Sequence, residues 1–194
     1  MKFFKENSYD IVRLFINQVG ITIFSLVLYV SLGAIEDDST FALLKILMSV
    51  FAIGFYLALL YTAGWEYGAK DKIRIDGGRM EPKPFKGALM SLIANLPNFA
   101  LAGIAVICAV IYLTSGSEGF LSVFSLLTLL MRFISAMYHG VLHAIFIAYE
   151  SDTVLFNLLQ GIGYLVAPIL AICATQLGYS LGVRERKIRD LFIR

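Results

Sequence analysis

Apolar runs of membrane length recur along this chain, and they constrain its fold more than any other feature. Residues 11–35, 41–67, 85–113, 120–149 and 154–183 are dominated by Leu, Ile, Val, Phe, Ala and Gly, and none holds more than two Asp, Glu, Lys or Arg residues. About 20 apolar residues in a helix cross a hydrocarbon core about 30 Å thick. In lipid every backbone N–H and C=O must be satisfied internally, so such runs fold as helices that pack on one another. Composition agrees, since 59% of the 194 residues are hydrophobic and 15% are charged, against about 25% charged in soluble domains. A soluble helical protein needs a charged outer face on each helix, and no such 3.6-residue pattern is present. The first run is too long for a cleavable signal peptide, and no small-residue cleavage site follows it. The expectation is an all-α, polytopic integral membrane helical bundle of five to six membrane segments, forming one membrane domain over residues 1–194.

Charge placement orients the bundle. Glu36, Asp37 and Asp38 follow the first run, and Ser39 or Asp38 can cap the next helix. Lys45 near the start of the second run can snorkel. Residues 70–86 carry six bases (Lys70, Lys72, Arg74, Arg79, Lys83, Lys86) against Asp71, Asp76 and Glu81. The positive-inside rule places that loop in the cytoplasm, and with it an N-terminus carrying Lys2, Lys5 and Arg13. The tail from Arg184 to Arg194 adds five bases and belongs on the same side. The expected location is the cell membrane, with both termini cytoplasmic. Cys108 and Cys173 lie inside apolar runs and read as small buried residues rather than a disulfide or metal pair.

An internal repeat shapes the topology. At an offset of 114 residues, Glu36 and Asp38 fall on Glu150 and Asp152. Gly64-Trp65-x-x-Gly68-Ala69-Lys70-Asp71-Lys72 falls on Gly178-Tyr179-x-x-Gly182-Val183-Arg184-Glu185-Arg186. Each half, 8–76 and 120–190, is then a hairpin with an acidic outer turn and a glycine-rich basic end. Shared membrane-boundary chemistry is the alternative source of such a match. Between the hairpins lies 84–113, opened by Pro82 and Pro84 and interrupted at Asn95-Leu96-Pro97-Asn98. Proline removes a backbone donor there, so this is one kinked span or two half-helices of about 12 and 16 residues that enter and return on one side. Parallel halves favour the re-entrant form. The alternative is five simple spans, with an inverted second half and the basic tail outside.

The pattern Gly64-Trp65, Lys70-x-Lys72, Pro84-Phe85-Lys86-Gly87 and Asn95-Leu96-Pro97, with a second Gly178-Tyr179 boundary, resembles a loose group of uncharacterised bacterial and archaeal polytopic membrane proteins. The resemblance covers residues 60–100 and the tail. It implies a bacterial cytoplasmic membrane and a helical bundle, and it carries no activity and no site residues.

The most polar feature inside an apolar run is the stripe Arg132, His139, His143 and Glu150. On one continuous helix over 120–149, steps of 7, 11 and 18 place all four within about 20° of one line. The equivalents at the repeat offset are Gln18, Ser25, Tyr29 and Glu36. Arg132 would lie roughly 18 Å into the helix. A mid-membrane charge costs at least about 2.5 kcal/mol, so it requires a partner within the bundle or an anion. Glu66 is a candidate partner by chemistry.

His139 and His143 share a face and suit packing, a proton relay or pore lining, or more remotely metal binding. Gly140 follows His139, so this is no zinc-protease motif. The candidate polar pathway or partner site is therefore Arg132, His139, His143, Glu150, Gln18, Tyr29 and Glu66. No catalytic, cofactor or metal set is expected. Gly64-x-x-x-Gly68, Gly178-x-x-x-Gly182, and Gly161 and Gly163 beside Gln160 permit close helix approach or capping.

There is no phosphate-binding loop, dinucleotide fingerprint, nucleophile elbow or paired-carboxylate arrangement. Nor is there a folded basic module for nucleic acid. The expected function is a non-enzymatic membrane component, a subunit or scaffold of a complex. The alternative is a small transporter or channel that uses the stripe of the 120–149 helix. An intramembrane lipid enzyme is the remote third. Expected partners are the lipid bilayer, protein subunits or a second copy, and anionic lipid headgroups at the basic loop and tail.

Overall fold

The computed structural model describes residues 2–32 and 38–185, which are helix joined by short connections, with no strand among them. The elements are α1 (Lys2–Leu32), α2 (Asp38–Asp76), α3 (Lys86–Ala94), α4 (Leu96–Ser115), α5 (Glu118–Ile134), α6 (Ala136–Phe146) with a 3-10 turn at Ile147–Tyr149, and α7 (Thr153–Val183). Within these, Phe3–Leu32, Ser39–Asp76, Leu96–Ser115 and Thr153–Val183 are long and apolar enough to cross a membrane, and α5 with α6 is a bent candidate for a fifth span. The protein is thus all-helical with four to five membrane-length helices. Glu36 and the tail from residue 186 lie outside the described residues.

The chain divides into two compact units. Unit 1 comprises Met1–Gln18, Phe55–Asn95 and Ile169–Arg194. Its helices approach through glycine. A Cβ on Gly64 would stand 2.4 Å from the carbonyl oxygen of Thr175 and 3.2 Å from the Tyr179 nitrogen. One on Gly178 would meet the Tyr61 carbonyl oxygen at 2.2 Å and the Trp65 nitrogen at 3.0 Å. Gly68 stands to Tyr179 and Val183 as Gly182 stands to Trp65 and Ala69. Every one of these contacts maps onto its partner at the offset of 114. Rising numbers on α2 meet rising numbers on α7, so the two helices pass each other in parallel. Small residues let backbones this close gain dispersion and weak Cα–H···O contacts.

The end of α2 follows from Gly78, whose φ of 65° is a conformation open to glycine. Gly78 N–H donates to the Ile75 carbonyl and Arg79 N–H to that of Arg74, both at 2.9 Å, the pairing of a Schellman cap.

Unit 2 comprises Val19–Gly54 and Leu96–Pro168. α4 and α5 form a hairpin turned at Gly116, whose φ is 67°. The expected continuous helix over 120–149 is instead broken at Ser135, where the chain bends by 117°. Tyr138 N–H donates to the Ser135 carbonyl at 3.0 Å, which frees the carbonyl of Ile134. The hydroxyl of Thr22 on α1 donates to that carbonyl at 2.7 Å. A tertiary hydrogen bond therefore holds the break open.

Two further expectations are corrected. The interruption in 84–113 is a separation at Asn95 into helices of 9 and 20 residues rather than of about 12 and 16. The longer one is membrane-length alone, because Pro97 falls in its first turn, where no amide donor is needed. Cys108 is buried but Cys173 is exposed on α7, and both are free thiols.

Candidate functional site

Breaking the 120–149 helix changes the stripe from a line into a joint. Arg132 belongs to the last turn of α5, while His139 and His143 lie on α6. Glu150 follows the 3-10 turn and is exposed. Arg132 Nη2 donates to Asn157 Oδ1 on α7 at 2.7 Å. Its partner is thus an amide, not the carboxylate of Glu66. Glu66 lies in unit 1 and holds Arg13 Nη1 at 2.8 Å.

The two histidines remain neighbours, as their spacing requires. Their ring centroids are 6.0 Å apart in an edge contact. His139 Nδ1 shares a hydrogen bond with the Tyr164 hydroxyl at 3.1 Å. His143 stacks its edge on Phe156 with centroids 5.5 Å apart. His143 Nε2 lies 3.7 Å from Glu150 Oε1, an ion pair whenever the imidazole is protonated. Tyr29 joins the same group, with its ring 6.2 Å from that of His139. Its hydroxyl is bonded to that of Ser49. Both oxygens accept from the Gly140 amide, at 2.8 and 2.9 Å. Gly140 has to be glycine, since a Cβ there would stand 2.4 Å from the Lys45 carbonyl oxygen. Arg132, His139, His143, Glu150 and Tyr29 therefore all belong to unit 2, and Glu66 does not. Gln18, the repeat equivalent of Arg132, is buried in unit 1 with its Oε1 unpaired among the described residues. Among the described residues no three His, Cys, Asp or Glu side chains converge as a metal site would require.

The sequence reading missed a second set of polar groups in unit 2. Gln160 on α7 is fully buried, and neither atom of its amide has a hydrogen-bond partner among the described residues. The same holds for Thr128 Oγ1 on α5, Tyr138 Oη on α6 and Arg132 Nε. Thr128 is one turn from Arg132 on α5, and Gln160 is one turn from Asn157 on α7, so each extends the Arg132–Asn157 contact along its own helix face. A buried polar group without a partner costs about 1–3 kcal/mol. Native proteins satisfy such groups with ordered water or ligand. The sequence signal was available, as a glutamine inside the apolar run 154–183, but only packing reveals that it faces inward.

Unit 1 holds a second charged cluster. Lys86 Nζ lies 2.7 Å from Asp71 Oδ2, with the side chains 6% and 2% exposed. The Tyr179 hydroxyl donates to the same oxygen at 2.9 Å. Gln176 ties the start of α3 and the connection before it to α7, accepting from the Ala88 amide and donating to the Pro84 carbonyl. Compared with known proteins, the chain matches no family model, no curated protein and no solved structure.

Proposed function

We propose that this is a non-enzymatic membrane protein whose unit 2 admits water or a small polar solute at the α5–α6 joint, as a small transporter or channel does. The observation that carries the reading is the fully buried Gln160 amide with both atoms unpaired, in a unit where a membrane-embedded helix breaks by 117°. Discontinuous helices commonly frame solute sites. Broken backbone at membrane depth is tolerable only where protein covers it or it lines a cavity.

The parallel passage of α2 and α7 and the offset of 114 in their contacts support an internal duplication with parallel halves. In unit 2, Thr22 meets the carbonyl of Ile134 at the end of α5 and Tyr29 meets Gly140 on α6, so the chain entering α6 advances in the same direction as α1. Together these favour four crossings by α1, α2, α4 and α7, with α5–α6 as a re-entrant segment that returns to the side of Glu150. The re-entrant element then moves from 84–113 to α5–α6. The basic ends of α2 and α7 share the cytoplasmic side of the cell membrane.

The test is iso-osmotic swelling of proteoliposomes, which registers entry of any small solute. We expect at least one polar solute to enter faster than in protein-free vesicles, and the combination Thr128→Val with Gln160→Leu to abolish the difference. No entry by any solute, together with purification in a fixed ratio with another subunit, would favour the scaffold role instead.

A further inference from the structure

We propose that unit 1 carries a binding site for an anionic phospholipid, formed by the end of α2, the 79–85 connection and α3. This site is independent of the polar joint in unit 2. Two cavities adjoin there. One, of about 490 Å³, is lined by Arg74, Arg79, Lys83 and Lys86 together with the carboxylates Glu6 and Glu81. The other, of about 600 Å³, is apolar, with Phe3, Phe85, Leu89, Leu92 and Ile172 among its walls. Lys83 and Lys86 line both.

The charges are not equally available. Lys86 is held by Asp71 at 2.7 Å, and Lys83 stands 4.0 Å from Glu6. Arg74 is 3.8 Å from Asp71 with its side chain 61% exposed. Arg79 makes no ion pair among the described residues. The Schellman cap at Gly78 joins the backbones of these two arginines directly, through the bond from Arg79 N–H to the Arg74 carbonyl. Two guanidinium groups are thus presented at one rim, a donor geometry matched to phosphate oxygens.

The apolar cavity beside them has no use for a free anion. Phe85 is 74% exposed, and Leu89 and Leu92 are also exposed. A phosphate joined to acyl chains satisfies both halves at once: the headgroup meets Arg74 and Arg79, and a chain lies along Phe85, Leu89 and Leu92. A zwitterionic lipid would set its own cation against the guanidinium pair.

The experiment uses the full-length protein in mild detergent. It is equilibrated with equal amounts of phosphatidylglycerol and phosphatidylcholine of identical chains, and bound lipid is counted by native mass spectrometry. Each base near anionic lipid contributes about fivefold, so the pair predicts roughly 25-fold preference for phosphatidylglycerol. Arg74→Gln with Arg79→Gln should bring the two lipids close to parity. Leu89→Gln with Leu92→Gln should reduce retention of both, and glycerol phosphate in excess should displace neither. Equal retention of the two lipids by the unsubstituted protein overturns the proposal, and this arm needs no variant to fold. A preference that survives loss of both arginines also overturns it. Displacement by glycerol phosphate would reveal a site for phosphate alone and overturn the amphiphile assignment.

Discussion

Gly64 and Gly178 meet each other's helices in the same way: a Cβ on the first would stand 2.4 Å from the Thr175 carbonyl oxygen, and a Cβ on the second 2.2 Å from that of Tyr61. These are backbone atoms of packed helices, so the neighbour cannot swing aside. Gly64→Ala or Gly178→Ala should each destabilise the protein by about 1–3 kcal/mol, the usual cost of overpacking. Gly54 offers the contrast, because nothing lies within 4 Å of its Cβ position. Gly54→Ala should be neutral or raise stability by about 0.5–1 kcal/mol. Thermal unfolding in detergent, followed by circular dichroism, reads all three, and equal losses at positions 54 and 64 would refute the close crossing.

The Asp71–Lys86 pair is buried, and the Tyr179 hydroxyl donates to the same carboxylate oxygen. Removing one charge strands the other, at a cost of about 3–5 kcal/mol. Asp71→Asn and Lys86→Met should each lower the unfolding midpoint strongly. The double variant Asp71→Asn with Lys86→Met should recover much of the loss. A double variant as unstable as the two losses added would show that the residues are not coupled.

The break at Ser135 depends on a group far away in sequence. Thr22→Val removes the hydroxyl that satisfies the Ile134 carbonyl, at a cost of about 1 kcal/mol. Thr22→Ser keeps the donor and should retain stability. Identical unfolding midpoints for the two variants would remove Thr22 from the account of the break.

These three cases show what the residues disclose in advance. The apolar runs declared the helices, because length and composition alone decide what can cross lipid. The glycine pairs at 64, 68, 178 and 182 stood out because spacing by four is a surface pattern on one helix. The histidine pair survived for the same local reason. The joint at Ser135 was not legible: neither proline nor glycine marks it, and the partner that satisfies it is 112 residues away. The partner of Arg132 was missed similarly, since Asn157 is one of many polar residues that chemistry alone would allow. Gln160 could be read as polar, but its lack of a partner is a property of the packing around it.

Topology gives a further prediction. In the proposed topology, with α2 and α7 parallel and both crossing the membrane, Arg79 and Arg184 share one side and Glu150 takes the other. With Cys108 and Cys173 replaced by alanine, single cysteines at 79 and 184 should both resist a membrane-impermeant thiol reagent applied to intact cells. A cysteine at 150 should react. Labelling of 79 and 184 from opposite sides would refute the parallel arrangement.

The proposed role of unit 2 requires that water or solute reach its buried polar groups. The most direct test labels Gln160→Cys with a small hydrophilic thiosulfonate, in the same cysteine-free background. The reference is Ala105→Cys, a position that is also fully buried in unit 2. A hydrated joint predicts that position 160 reacts many times faster than position 105. Equal, negligible rates at both positions would mean that the Gln160 amide sits in dry packing, and the solute-admitting role would fail.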